Sequence, residues 1–178
     1  VKAKKWIVIG TSGSGKTTAA ATLAKELGCY LIDCDNINWL PNWVEKEHGL
    51  FAEELAVQMR REAWVMDGNY ARVRELTFAQ AEAILWLDMG FWTCLGRVFW
   101  RTFRRAWTGE RLWESQNKES LLMFFSRQGL PWWVISTWRR RRNNTDALMK
   151  SGQYPQLRWI RLRDKKQVDL FFATRGFE

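Results

Sequence analysis

Short apolar runs alternate with longer mixed stretches along this chain. Trp6-Ile7-Val8-Ile9 is the first run; it ends at Gly10 and predicts a buried strand. Tyr30-Leu31-Ile32, Trp64-Val65-Met66 and residues 83–87 predict three more, and the alternating residues 157–162 a fifth. Residues 16–27, rich in Ala and Leu, predict a helix stopped by Gly28. Phe51, Leu55 and Met59 make an i, i+4, i+8 stripe within a helix predicted over 51–63. Further helices are predicted over 91–107, 132–150 and 167–174. Residues 36–49, with Trp39, Pro41 and Trp43, predict an irregular segment, and 109–131 mixes polar residues, a short apolar patch and breakers. Strands alternating with helices predict an α/β fold with a parallel sheet covered on both faces. No internal repeat or low-complexity linker interrupts the pattern.

The loop after the first strand changes this from a fold class to a chemistry. Gly10-Thr11-Ser12-Gly13-Ser14-Gly15-Lys16-Thr17 fits G-x-x-x-x-G-K-[ST] without substitution. Glycines let the backbone wrap an anion with N–H groups pointing inward, and the following helix points its positive end at phosphate. The nucleotide-binding set is Gly10, Ser12, Gly13, Ser14, Gly15, Lys16, Thr17 and Thr18. In it Lys16 reaches the terminal phosphates and the Thr17 hydroxyl ligates Mg²⁺. A full match between a strand and a helix argues against a bare Gly-rich turn.

Charge sharpens the picture once it is located. The 178 residues carry +9, but residues 1–96 are net −2, 97–142 net +8 and 143–178 net +3. The length suits one domain with a real core. The apolar fraction of 47% and charged fraction of 26% exclude a disordered or collagen-like chain. No uncharged stretch is long enough to span a bilayer, the N-terminus is not a secretory signal, and a cytoplasmic location is expected. Cys29, Cys34 and Cys94 show no metal spacing and suit a reducing compartment, and His48 alone supports no His-based triad or multi-His metal site.

Acidic residues follow three of the strands: Asp35, Asp67 and Asp88. At the carboxyl ends of parallel strands, carboxylates hold Mg²⁺ or accept a proton from an attacking hydroxyl. Asp35 and Asp67 are the better candidates, and Asp88 equally suits a cap. In the long helix, Arg97, Arg101, Arg104 and Arg105 share one sector, with Trp92, Leu95, Phe99, Phe103 and Ala106 opposite. The aromatic face is expected to pack on the sheet while the other presents guanidinium groups to phosphate. Arg139 to Arg142 read as a solvated face or a polyanion contact. Trp6, Trp64, Trp86 and Trp159 are expected in the core; Trp39 and Trp43 suit either stacking on a flat substrate or stapling a loop.

Together these residues resemble the adenylate kinase-like branch of nucleoside and nucleotide kinases. Asp35-x-x-x-Trp39-x-Pro41-x-Trp43, Asp67-Gly68-Asn69-Tyr70, Ile84-Leu85-Trp86-Leu87-Asp88 and Asn117-Lys118-Glu119 are similar to the small bacterial adenylate kinase-like ATPases called topology modulation proteins. The resemblance covers almost the whole chain and departs at Gln80 and Gly90. It implies a three-layer α/β/α P-loop NTPase with a five-stranded parallel sheet in the order 2-3-1-4-5. It implies one domain over 1–178, with an acceptor-binding segment at about 36–63 and a lid at about 108–130. Lys16, Asp35, Arg101 and Arg104 are the implied catalytic residues. Asp35, Trp39, Asp67, Tyr70 and Arg74 face the acceptor, Arg105, Arg111 and Arg127 belong to the lid, and Thr17 and Asp67 hold the metal. ATP and Mg²⁺ are the implied cofactors and a nucleoside, nucleotide or other small molecule the acceptor. The basic charge keeps a second reading open, a nucleic-acid-associated ATPase acting on DNA topology. A third is association of residues 124–142 with an anionic membrane surface.

Overall fold

The computed structural model describes residues 3–119, 122, 126 and 129–177. Five strands, β1 (Lys5–Gly10), β2 (Tyr30–Asp33), β3 (Trp64–Asp67), β4 (Ala83–Leu87) and β5 (Arg158–Leu162), form one parallel sheet. Its order is β2-β3-β1-β4-β5, with β1 central, as the resemblance implied. Successive side chains of a strand point to opposite faces. Trp6 and Val8 of β1 therefore join Val65, Leu85 and Leu87 in one core cluster, while Ile7 and Ile9 join Ile32, Met66, Ile84 and Trp86 in the other.

Helices cover both faces, making three layers. On the first side lie α1 (Lys16–Leu27) through Ala20 and Leu23, and α5 (Phe91–Thr108) through Cys94 and Val98. Beside them lie α6 (Leu130–Lys150) through Val134, and α7 (Lys165–Ala173) through Phe171. On the second lie α3 (His48–Met59) through the stripe Phe51, Leu55 and Met59, and α4 (Arg74–Gln80) through Phe78. Among the described residues no helix is long and apolar enough to cross a membrane.

Two expectations fail and one helix was not expected, each for a physical reason. Residues 36–49 are not irregular throughout. A short helix α2 (Cys34–Asn38) is capped by the Asp33 carboxylate, and two-residue strands Trp39–Leu40 and Val44–Glu45 pair as a hairpin. The helix α4 carried no periodic signal, since only Thr77 and Phe78 of its seven residues are buried. Most consequentially, α5 does not pack by its aromatic face. Its buried residues are Cys94, Val98 and Thr102, and Trp92, Phe99, Trp100 and Trp107 are exposed. The reason lies at Gly13, where an added Cβ would stand 2.3 Å from the Cys94 carbonyl oxygen and 2.9 Å from a Val98 methyl carbon. Backbone meets backbone there, and only small side chains fit between.

Candidate active site

The site is built on the turn from β1 into α1. Gly13 and Gly15 take φ of 81° and 94°, which L side chains rarely adopt. Helix α1 begins without a side-chain cap, so its first N–H groups point into the cleft above the sheet. Among the described residues the Lys16 ammonium makes no hydrogen bond or ion pair, which leaves a cation available to an anion held by the loop. Arg97 donates from Nη1 to the Gly13 and Ser14 carbonyls, at 3.5 and 3.3 Å, and so braces the loop from α5. Arg101 reaches Ser12 Oγ from Nη2 at 3.2 Å. Its Nε is buried without a partner, and burial together with Arg105 pulls its pKa down. Gly13→Ala is expected to push α5 off the loop. A lowered thermal midpoint with lost nucleotide binding would show it, and an unchanged pair of values would refute the close approach.

Asp67 ends β3 in register with Val8, directly beside the loop. It is buried, and burial raises its pKa against the opposing pull of Lys16 and of a hydrogen bond from Thr17. Its Oδ1 has no hydrogen-bond partner. Among the described residues no group of three acidic, His or Cys side chains forms a metal cage. One buried carboxylate oxygen and one hydroxyl beside a phosphate loop instead fit Mg²⁺, which keeps waters and substrate oxygens as its other ligands.

A second group faces the cleft from the other side. Asp33, through Oδ1, accepts from the backbone N–H groups of Asp35 and Asn36 and thereby sets the Asp35 side chain at the start of α2. The Tyr70 hydroxyl donates to Asp35 Oδ1; burial and the Asp35 charge hold that phenol well above its ordinary pKa, so it stays a donor. Arg74 has a buried Nε without a partner. Arg141 packs over the Trp133 ring at 4.9 Å and reaches the Asn69 carbonyl at 3.5 Å. Burial and the Arg74 and Arg140 charges lower the pKa of Arg141. Among the described residues neither Arg74 nor Arg141 forms an ion pair. Arg72, by contrast, is engaged structurally with Asn38, Glu45 and the Phe51 ring.

The segment after α5 closes over this group. Strands Arg111–Leu112 and Asn117–Lys118 pair as a hairpin, and this hairpin locks onto the one at 39–45. The Asn117 amide donates to the Leu40 carbonyl at 3.0 Å and its Oδ1 accepts from the Trp43 N–H at 3.1 Å. The Glu114 N–H donates to Asn36 Oδ1 at 3.0 Å, next to Asp35. Trp43 meets both Trp39 and Trp113 edge-on, at 5.7 and 5.8 Å. The tryptophans therefore staple two loops, and Trp39 is not an open stacking platform. Trp43 and Trp113 take left-handed φ of 59° and 54°, a conformation bulky residues seldom adopt.

Several of the expected arginines bond within the segment that follows α5. Arg104 is 60% exposed and pairs with Glu110, as does Arg105 at 3.2 Å; neither reaches the loop. Arg111 bonds to Gln116 within its own hairpin, and Arg127 lies outside the described residues. Asp88 does not cap a helix; it is held by two arginines. Its side chain, 2% exposed, takes Arg142 at 2.7 Å and Arg161 at 2.7 Å, and Arg161 also binds Asp146. Of the run 139–142, then, two arginines are inward-facing. Arg141 was legible in principle: it lies on the stripe of Val134, Thr137 and Thr145, all buried.

The chain resembles known proteins in two ways. A family model described as an AAA domain matches residues 6–107. Shikimate kinase from Bacteroides thetaiotaomicron superposes with a TM-score of 0.55 at 15% identity, covering 98% of this chain and 97% of that one. Deoxyadenosine kinase from M. mycoides with bound dATP gives 0.52 at 14% identity, covering 97% and 99%. The same enzyme with the products dCMP and a flexible dCDP gives 0.52 at 12%, covering 97% and 98%. At these identities the likeness is one of fold. No curated protein matches the chain.

Proposed function

The chain belongs to the AAA domain family, and from that premise we propose that it is a P-loop kinase transferring the terminal phosphoryl group of Mg·ATP to a small anionic acceptor. Within the family we place it among the small adenylate kinase-like topology modulation proteins, acting in the cytoplasm. The observation that carries the reading is the meeting of two unlike groups in one cleft. A phosphate loop with an unpartnered Lys16 faces one way, and Asp35 with two uncompensated guanidinium groups, Arg74 and Arg141, faces the other.

In this reading the loop N–H groups and Lys16 hold the β- and γ-phosphates. Thr17 and Asp67 would hold Mg²⁺, which when bound would offset negative charge on the phosphates. Arg101 moves from Ser12 onto the transferring group, where its positive charge matches the charge that develops. Asp35, fixed by Tyr70, accepts the proton of the attacking hydroxyl or, for a phosphate acceptor, orients it. Residues 36–63 serve as the acceptor segment and about 108–130 as the lid, joined by the locked hairpins. Arg74 and Arg141 take a carboxylate or phosphate on the acceptor, because guanidinium groups left unpaired in a half-buried cleft are best satisfied by an anion.

The nucleic-acid reading is weakened by where the basic groups go. Arg97, Arg101, Arg105, Arg142 and Arg161 are all engaged within the protein. These five are therefore not available to neutralise a polymer backbone.

Incubation with γ-labelled ATP and a panel of nucleosides, nucleoside monophosphates and hydroxy-acids tests the proposal. Label is expected on an anionic acceptor; release of free phosphate alone, whatever the acceptor, would reject a kinase. Arg74→Gln is expected to raise the acceptor KM roughly tenfold to a hundredfold, the value of a charged hydrogen bond, while the KM for ATP stays put. Equal effects on both KM values would move Arg74 to the nucleotide side.

A further inference from the structure

Three buried polar atoms without hydrogen-bond partners lie together between α5 and the end of the strand Asn117–Lys118: Arg101 Nε, Thr102 Oγ1 and Glu119 Oε2. Thr102 is 2% exposed and Glu119 9%. The charges of Arg101 and Glu119 act on each other, and Arg105 and the Thr102 hydroxyl also draw Glu119 toward its ionised form against its burial. Among the described residues no ion pair yet holds Glu119. A buried polar group left unpaired is costly, and its partner has to be sought. Here the three supply one another. The Arg Nε–H only donates, the Thr hydroxyl can donate, and an ionised carboxylate only accepts. One carboxylate therefore satisfies both donors, and no outside ligand is needed. Arg105, one turn further along α5, already has a carboxylate, since its Nε bonds to Glu110 at 3.2 Å. Arg101 has only the neutral Ser12 hydroxyl, at 3.2 Å.

We infer that Glu119 is a positioning residue for Arg101: it binds the Nε edge as the guanidinium leaves Ser12, so that the Nη edge meets the transferring phosphoryl group. The inference rests on the kinase reading at one point, the presence of Arg101 at that group. A guanidinium holds its N–H donors in one rigid plane, so a carboxylate on one edge sets the direction of the other. Glu119 is also well anchored for this task. The two residues before it are fastened to the acceptor-side loop, Asn117 by its bonds to Leu40 and Trp43, and Lys118 by its carbonyl, which accepts from Trp43 Nε1 at 3.1 Å. The hairpin that locks onto the acceptor-side loop thus also carries the group that aims the arginine. A different role would be to temper the positive charge of Arg101 and Arg105. Such a carboxylate weakens the hold on every phosphate alike, whereas a positioning carboxylate acts on the group in transfer.

Glu119→Gln keeps the shape and removes the charge. The test compares affinity for Mg·ADP with aluminium fluoride, a mimic of the phosphoryl group in transfer, against affinity for Mg·ADP alone, beside kcat and the KM for ATP. Glu119→Gln is expected to lose roughly tenfold of the preference for the mimic and roughly tenfold in kcat, with the KM for ATP not raised. Arg101→Met is expected to lose more of both, and Glu119→Gln added to it is expected to change neither further. Thr102→Val, which removes only the hydroxyl, is expected to act severalfold in the same direction. It decides the matter if Glu119→Gln does not fold, and an inert Thr102→Val would then overturn the inference. An unchanged preference in folded Glu119→Gln overturns it too, as do equal losses with and without Arg101. A joint rise in affinity for ADP and for the mimic would leave Glu119 as a charge balance and reject the positioning role. So would an unaltered protein that binds ADP and the mimic equally. A protein that prefers the mimic through Glu119 yet labels no acceptor would reject the kinase reading and keep Glu119 in its role.

Discussion

Lys16→Met is expected to lower ATP turnover roughly a thousandfold, the scale seen when a positioned charge leaves a phosphoryl-transfer site. The same change is expected to leave the nucleotide-free protein's thermal midpoint untouched. Among the described residues the ammonium makes no hydrogen bond or ion pair, so its removal orphans no donor, and buried Asp67, losing the pull of that charge, can take up a proton. The two readouts therefore separate. In the unaltered protein, Mg·ATP at a hundredfold excess over its Kd stabilises the fold by about 2.7 kcal/mol. That increment disappears in the variant, while the midpoint without ligand stays where it was. Turnover that survives Lys16→Met would place the chemistry away from this loop. A fallen ligand-free midpoint would show that Lys16 supports the structure instead of the reaction.

Asp88→Asn carries the largest expected loss of stability. The carboxylate at the end of β4 is 2% exposed and joins two guanidinium groups, from α6 and from β5. A neutral amide keeps the volume and removes the anion, leaving Arg161, 16% exposed, with Asp146 alone as its charge partner. Breaking a buried pair in this way costs about 3 kcal/mol, the low end of the usual range, because Arg142 is 40% exposed and can turn to water. For a chain of this size that is a fall of roughly 6–12 °C in thermal midpoint. Arg142→Gln is expected to cost less, since Arg161 and Asp88 remain paired. ATP turnover measured well below the midpoint should survive Asp88→Asn. A large loss of turnover at unchanged stability would return Asp88 to the list of strand-end carboxylates that act on substrate or metal.

What could be read from the chain depended on the range over which each signal acts. The strands and the phosphate loop were legible because their causes are local. An apolar run buried on both sides announces a central parallel strand, and a glycine needed at φ of 81° or 94° announces itself by being glycine. Helix α5 was found with its ends nearly right, yet with the wrong side inward. Periodicity separates a helix into stripes; it does not say which stripe meets the protein. The choice was made at the Gly13 backbone, which lies against the Cys94 carbonyl and a Val98 methyl and leaves no room for an aromatic ring. The Asp88 network was invisible for a related reason, since its partners lie 54 and 73 residues away and no pattern in one segment marks them. Arg141 is different, because the helical repeat alone places it among the buried Val134, Thr137 and Thr145.

The interlocked hairpins have a consequence for how such a protein changes over generations. Surface loops normally accumulate substitutions independently, each tested against its own surroundings. Here the loop over the acceptor side and the loop following α5 share Asn117, which serves Leu40 and Trp43 together. A new residue at 117 therefore disturbs backbone groups some seventy-five residues away, and a shift of Asn36 strips the Glu114 N–H of its partner. Single steps in either loop are penalised, and only matched pairs pass. A lineage carrying this lock is expected to keep Asn36 and Asn117, whose side chains make these bonds, and to shift its substrate range in abrupt, coordinated jumps when they change.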